Sequence, residues 1–148
     1  MSRPDALALA IVQFGRGLDP ATTGGRRLQY KKPETPNVNA VLPQGLVQVT
    51  PVGETRLRGR GVVTRRPFCT VLFTGKTDDR FGRSQWLEAA EGFFDALEYA
   101  SLTTTEGRME WHETAVDSLW DPSLIRHATF ASQHTVTFTH RELNLRGA

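Results

Sequence analysis

One segment, residues 65–102, constrains the fold more than any other, because it joins an apolar strand pattern to an amphipathic helix pattern. Successive side chains of a strand point to opposite faces, and both faces of residues 67–75 are largely apolar. One face carries Phe68, Thr70, Leu72 and Thr74, and the other carries Cys69, Val71 and Phe73. The pattern predicts a strand that is central in its sheet or covered on both sides, with Cys69 buried in it.

Residues 84–100 complete this unit and predict an amphipathic helix with Ser84 as its N-cap. Its apolar residues recur at helical spacing, and they are Trp86, Ala89, Ala90, Phe93, Phe94 and Leu97. The opposite face is acidic and carries Glu88, Glu91, Asp95 and Glu98. We interpret the aromatic stripe as core and not as a cofactor site, because large aromatic side chains bury much area when a helix docks on a sheet.

The other elements follow from shorter patterns. Residues 2–17 predict a helix that Ser2 caps and that Gly15 and Gly17 end. Alternation and turn residues predict further strands: residues 46–52 and 55–64, joined by a turn near Gly53 and Glu54, and residues 108–116 and 124–142.

Residues 18–45 predict a long loop, since they contain three prolines and the pair Gly24-Gly25 and leave room only for a short extended piece at residues 28–31. A loop of this length is usually functional or disordered. It is either a solvated loop or an arm that becomes ordered on a neighbouring subunit.

Together these patterns predict one α+β domain over residues 1–148. Its expected parts are an antiparallel or mixed sheet of about five strands, two helices packed on one face, the long N-terminal loop at 18–45 and a frayed tail at 143–148.

Charge is distributed unevenly along the chain. Residues 1–66 contain eleven Lys and Arg against four Asp and Glu, whereas residues 67–148 contain seven against twelve. These net charges of +7 and −5 favour either nucleic-acid contact by the basic half or head-to-tail contact between copies. The candidate interface residues are all basic: Arg26, Arg27, Lys31, Lys32, Arg56, Arg58, Arg60, Arg65 and Arg66.

Three of these arginines, Arg56, Arg58 and Arg60, recur at a period of two. In a strand this spacing predicts a row on one face, and Gly59 and Gly61 predict a bulge or a flexible tip. Such a row can lie along phosphates or meet the acidic residues of a second copy, and the sequence leaves both interpretations open.

The patterns of known catalytic, metal and cofactor sites do not match, so we expect a protein without enzymatic activity, metal or cofactor. Residues 75–77 (GKT) resemble the end of a phosphate-binding P-loop, but Thr70 occupies the position of its first glycine. The histidines lack metal-ligand spacing, and we expect them at the surface or at sheet edges: His112, His127, His134 and His140. One cysteine excludes an intramolecular disulfide, and no apolar run approaches the about 18 residues of a membrane span.

Three stretches resemble the neck and tail-completion proteins of long-tailed bacteriophages, and the tail terminators most of all. They are residues 66–79 (RPFCTVLFTGKTDD), residues 86–98 (WLEAAEGFFDALE), and residues 120–122 (WDP) ahead of a strand that ends at 135–139 (TVTFT). The resemblance covers residues 1–17 and 46–142 as a layout. The loop at 18–45 departs from the short linker that is usual in these proteins.

The resemblance implies a structural protein that forms a ring of its own copies, a hexamer, which caps the full-length tail tube and offers a docking surface to the head–tail connector or stopper protein. It implies assembly in the host cytoplasm and a place in the virion at the head–tail junction, where DNA can pass through the ring. No catalytic residue, cofactor or membrane contact comes with it. The alternatives are another neck component, such as a head-completion or stopper protein, and a nucleic-acid-binding module that uses the arginine ribbon at residues 56–66.

Overall fold

The computed structural model describes residues 2–25, 28–32, 45–77, 81–119 and 129–143. They form two α-helices, one 3-10 helix and six strands: α1 (Arg3–Arg16), the 3-10 helix (Pro20–Thr23), β1 (Gln29–Lys31), β2 (Gly45–Gly59), β3 (Val62–Lys76), α2 (Arg83–Glu98), β4 (Ser101–Thr104), β5 (Gly107–Leu119) and β6 (Thr129–Leu143). Within the predicted loop at 18–45, the 3-10 helix and β1 are described, whereas residues 26–27 and 33–44 lie outside the described residues. The predicted tail beyond residue 143 lies outside them as well.

The six strands form one mixed sheet in the order β1-β2-β3-β6-β5-β4. β1 is parallel to β2, and every other pair of neighbours is antiparallel. The predicted α+β class is confirmed, and β3 is central as its apolar pattern predicts. The expected number of about five strands is too low, because the four residues of β4 are too few to show a clear alternation.

β2 and β3 form one long hairpin, which corrects the predicted turn at residues 53–54. The two strands pair along their whole length, so these residues lie inside β2. Between Pro51 and Gly53 the pairing register shifts by one residue, which makes Val52 a β-bulge in β2. The turn is at Arg60 and Gly61. Gly61 has a φ of 68°, which glycine adopts without the steric cost that a Cβ atom brings.

The starts of the two helices follow different capping patterns. Ser2 caps α1 as predicted, and its Oγ accepts a hydrogen bond from the backbone N–H of Asp5 at 3.2 Å. For α2 the predicted cap is wrong, because Gly82 and not Ser84 precedes the helix. Gln85 reaches back instead, and its Oε1 accepts a hydrogen bond from the N–H of Gly82 at 2.9 Å.

Both helices pack on the same face of the sheet. α1 lies over β2, β3 and β4, and α2 lies over β5 and β6. The strand residues of the core are Val47, Val49, Cys69, Val71, Phe73, Met109, Phe130, Val136 and Phe138. Along each of β2, β3 and β6 they occupy alternate positions, so one face of the sheet carries the core. Half-buried residues occupy the other face, among them Thr70, Leu72, Thr135 and Thr137.

Gly75 of β3 packs closely against Trp86 of α2. A Cβ atom added there would overlap the indole ring of Trp86, which is fully buried and donates a hydrogen bond from Nε1 to the backbone oxygen of Lys76 at 3.1 Å. We therefore expect Gly75→Ala to lower the free energy of unfolding by about 1–3 kcal/mol, the usual effect of overpacking a core. Gly59→Ala is the control, because its Cβ would meet no atom within 4 Å. Equal midpoints of chemical denaturation for the two variants would contradict this packing.

Candidate interaction surface

The outer part of the β2–β3 hairpin, residues 52–66, carries the predicted arginines, and we call it the basic hairpin. Arg56 lies directly opposite Arg65, and the alternation of β2 and β3 places Arg56, Arg58 and Arg65 on the side of the sheet that the helices cover. Arg60 lies in the turn, so the predicted row of three arginines on one strand face is wrong for Arg60. Arg56, Arg58 and Arg60 are all exposed.

One carboxylate organises the base of the basic hairpin. Glu54 Oε1 accepts hydrogen bonds from Arg56 Nε and Arg65 Nη1, each at 3.0 Å, and only 12% of the Glu54 side chain is exposed. Beside this pair, Arg3 of α1 donates a hydrogen bond from Nε to His140 Nδ1 of β6 at 3.2 Å. Three arginines, Arg3, Arg56 and Arg65, thus act on the Glu54 carboxylate at the place where the hairpin meets α1.

The pKa of Glu54 reflects these neighbours. Burial alone raises the pKa, but the hydrogen bonds from Arg56 and Arg65 and the charge of Arg3 more than offset it, and the pKa lies below its ordinary value of 4.5. A carboxylate with a lowered pKa in the folded state contributes its full stabilisation above the unfolded-state pKa. It loses this contribution as the pH falls through the folded-state pKa.

The stability of the wild-type protein should therefore fall more steeply than that of Glu54→Gln as the pH decreases below about 4.5. The glutamine variant lacks the titrating group at this site, so it has less stabilisation to lose. Denaturation midpoints from neutral to acidic pH measure the difference. Glu88→Gln, at an exposed position on α2, should follow the wild-type curve. If the denaturation midpoints of wild type and Glu54→Gln fall in parallel as the pH decreases, the paired Glu54 carboxylate does not stabilise the fold as described.

Of the other predicted interface residues, Arg66, Lys31 and Lys32 lie away from the charged side of the basic hairpin. Arg66 follows Arg65 in β3 and points to the opposite face of the sheet. Lys31 is exposed on the edge strand β1, and Lys32 Nζ lies 3.9 Å from the carboxylate of Asp5. Two predicted residues lie outside the described residues, and they are Arg26 and Arg27.

The exposed side of α2 is acidic, and the sequence-based choice of interface residues omits it. Glu88, Glu91 and Asp95 are exposed and lie three and four residues apart, so they form one line along the helix. Glu98 continues this line and is half-buried. We call these four residues the acidic stripe. Tyr99 follows directly and is 92% exposed. The helical spacing of the four acids is the signal that reveals this surface in the sequence.

Exposed apolar side chains accompany both charged surfaces. The large hydrophobic residues that are exposed in the described ranges are Val52, Leu57, Leu87, Tyr99 and Val116. The first two belong to the basic hairpin, and Leu87 and Tyr99 lie beside the acidic stripe. Apolar residues rimmed by charges are typical of protein interaction sites, so both surfaces are candidates for contact with another protein.

Two strands have long open edges within the part of the chain that the structure describes. β1 covers β2 only at residues 46–48, and β4 covers β5 only at residues 107–110. Residues 49–59 and 111–119 therefore have no described strand along their outer sides. The unpaired backbone N–H and C=O groups of such edges can pair with a strand of another chain.

The histidines are placed differently from the prediction. His112 is exposed on β5, as expected, but His134 and His140 are each only 8% exposed. The alternation of β6 turns both toward the helices, where the His134 ring lies 4.1 Å from that of Phe94, centroid to centroid. His127 lies outside the described residues. Among the residues described, no group of three or more His, Cys, Asp or Glu side chains is placed to hold a metal ion.

Cys69 is fully buried, as its position in the apolar run predicts. Burial raises the pKa of its thiol to about 12, so the thiolate that a nucleophile requires is scarce at neutral pH. In the described ranges, neither helix combines the length and the apolar character that crossing a membrane demands.

Comparisons with known proteins bear on the fold. No protein-family model matches the chain, and no curated protein sequence matches it. Eleven chains of solved structures match. One belongs to the structure described as "Virion of native gene transfer agent (GTA) particle", with a TM-score of 0.58 and 16% sequence identity over 93% of this chain and 94% of that chain. The two proteins therefore share a fold over nearly their whole lengths.

Proposed function

We propose that this protein is a structural component of a phage-like virion, in which copies of the chain form a ring that caps the tail tube and joins it to the head connector. The observation that carries the proposal is the pair of open edges on β2 and β5, on opposite sides of the sheet. A subunit with two such edges can bind copies of itself head to tail.

The strand directions support this mode of assembly. In the order β2, β3, β6, β5, each strand is antiparallel to the next, so β5 runs opposite to β2. When a rotation about an axis parallel to the strands places a second copy beside the first, β2 of the second copy is therefore antiparallel to β5 of the first. The contact joins two different surfaces, and contacts of this heterologous type generate a ring when the rotation closes.

The comparisons and the sequence both bear on where in the particle the ring lies. The chain from the gene transfer agent virion has the same fold, which favours a position among virion proteins. The resemblance to tail terminators favours the head–tail junction, a hexamer, and contact with the tail tube protein and the connector or stopper protein. We assign the ring an architectural role without catalysis or cofactor.

Another neck component, such as a head-completion or stopper protein, would use the same head-to-tail contact but would not end tail growth. Deleting the gene for this protein from the phage-like genome that carries it distinguishes the terminator role from the stopper role. We expect tails of irregular, excess length that are not joined to heads, because an uncapped tube continues to grow. A plasmid copy of the gene should restore uniform joined particles. Tails of normal length without heads would favour the stopper role, and normal joined particles would contradict both.

A further inference from the structure

We propose that the basic hairpin of one copy docks on the C-terminal half of the acidic stripe of the next copy, with Arg56 and Arg58 against Asp95, Glu98 and Tyr99. The inference rests on the proposed ring and names the side-chain contact that holds neighbouring subunits together. The partner surface is thus a second copy of this chain.

The faces of the sheet decide which acidic residues the hairpin can reach. Arg56 and Arg58 lie on the side of β2 that faces the helices. They stay on this side when β2 extends a neighbour's sheet next to β5, because a continuous sheet keeps its two faces. α2 lies on the same side, over β5 and β6. Glu110 and Glu113 of β5 pair with threonines of β6 on the other face, so they point away from the incoming arginines.

The strand registers place the two surfaces at a similar height along the sheet. Through β3, β6 and β5, the pairings bring Arg56 to within about one residue of the level of Ser101, the first residue of β4. Tyr99 and Glu98 lie two and three residues before that strand, and Asp95 lies one helical turn earlier. The uncovered part of β5 begins at Trp111, one residue beyond the partner of Ser101. A neighbour's β2 strand that pairs there brings its arginines beside the start of β4 and the C-terminal end of α2.

The chemistry of the two surfaces is complementary. The basic hairpin has more guanidinium groups than its single carboxylate, Glu54, can balance, and the acidic stripe carries four carboxylates. Guanidinium groups bind carboxylates through paired hydrogen bonds and stack on aromatic rings, and Tyr99 offers such a ring, 92% exposed. Arg and Tyr are enriched among the residues that dominate binding energy.

Two charge-reversed variants test this contact. The hairpin variant is Arg56→Glu with Arg58→Glu, and the stripe variant is Asp95→Lys with Glu98→Lys. Each variant alone places like charges at every contact, so particles with the mass of the ring should be lost in favour of the 16.5 kDa chain. An equal mixture should form rings again in which the variants alternate, because every contact then joins opposite charges. Mass photometry measures all three samples.

A matched control changes the same charge on the other face. Glu110→Lys with Glu113→Lys should leave the ring intact, since these residues point away from the contact. If Arg56→Glu prevents folding by breaking the pair with Glu54, Arg58→Glu with Arg60→Glu takes its place, at two exposed positions nearer the tip.

The outcomes test the hairpin–stripe contact and the proposed function separately. Rings from either variant alone, or no rings from the mixture, would overturn this contact if the wild-type chain forms rings, and would leave the proposed function standing. Loss of rings in the Glu110 and Glu113 control would also overturn it. A wild-type chain that forms no ring, either alone or with tail tubes present, would overturn the proposed function itself, and the contact with it.

Discussion

Phe93→Ala should lower the free energy of unfolding by about 3–5 kcal/mol, the usual effect of removing a buried aromatic side chain. Phe93 is fully buried on α2. Its ring centroid lies 5.1 Å from that of Phe94, 5.6 Å from that of Tyr30 and 6.3 Å from that of Phe14. The side chain thus joins α2 to both α1 and β1, and its removal leaves a cavity among three rings.

A substitution on the same helix serves as the control for Phe93→Ala. Leu87 is 44% exposed, so Leu87→Ala should change the free energy of unfolding by no more than about 0.5 kcal/mol, as is usual for surface positions. Chemical denaturation of dilute protein measures both variants without interference from assembly. If Phe93→Ala lowers the free energy of unfolding no more than Leu87→Ala does, α2 is not packed as described.

Changing Arg56, Arg58 and Arg60 together to serine should give a folded protein that no longer joins tails to heads. The three side chains are exposed and outside the core, and Glu54 keeps its hydrogen bond from Arg65, so the melting temperature should change little. In the proposed ring, the substitutions remove the positive charge that faces the next subunit. Electron microscopy of particles assembled with this variant, counting heads that carry tails, measures the loss.

A control for the serine variant removes the same charge elsewhere. Lys76, Arg83 and Arg108 are exposed, and their joint replacement by serine should leave joining intact. Normal joining by the hairpin variant would contradict a role of these arginines in assembly. Salt-sensitive binding of duplex DNA by the wild-type protein, lost in the hairpin variant, would instead support the nucleic-acid-binding alternative.

The central strand and α2 are predictable from the sequence because side-chain periodicity is a local property. Val71 and Phe93 occupy core positions by that periodicity alone, and both are fully buried. Local sequence does not decide where the hairpin turns, since Gly53 and Gly61 are both turn residues by type. Only the pairing of β2 with β3 shows that Gly53 lies inside β2, next to the bulge, and that Gly61 lies in the turn.

Long-range pairing sets the features that the sequence does not reveal. The parallel contact of β1 with β2 joins a segment inside the predicted loop to the strand that follows this loop, and no local pattern encodes it. The period of two predicts that Arg56 and Arg58 share a face, but the position of Glu54 beside Arg65 depends on the hairpin register. The acidic stripe is visible as a helical pattern, whereas its place on the arginine side of the sheet follows from the order of the strands.

The mass of the purified wild-type protein over a wide range of concentration tests ring formation most directly. Analytical ultracentrifugation should show the 16.5 kDa chain in equilibrium with one closed species of about six times that mass, as a heterologous contact that closes would give. Electron micrographs of this species should show rings. A protein that stays at 16.5 kDa at every concentration, both alone and with tail tubes present, would contradict the proposed ring.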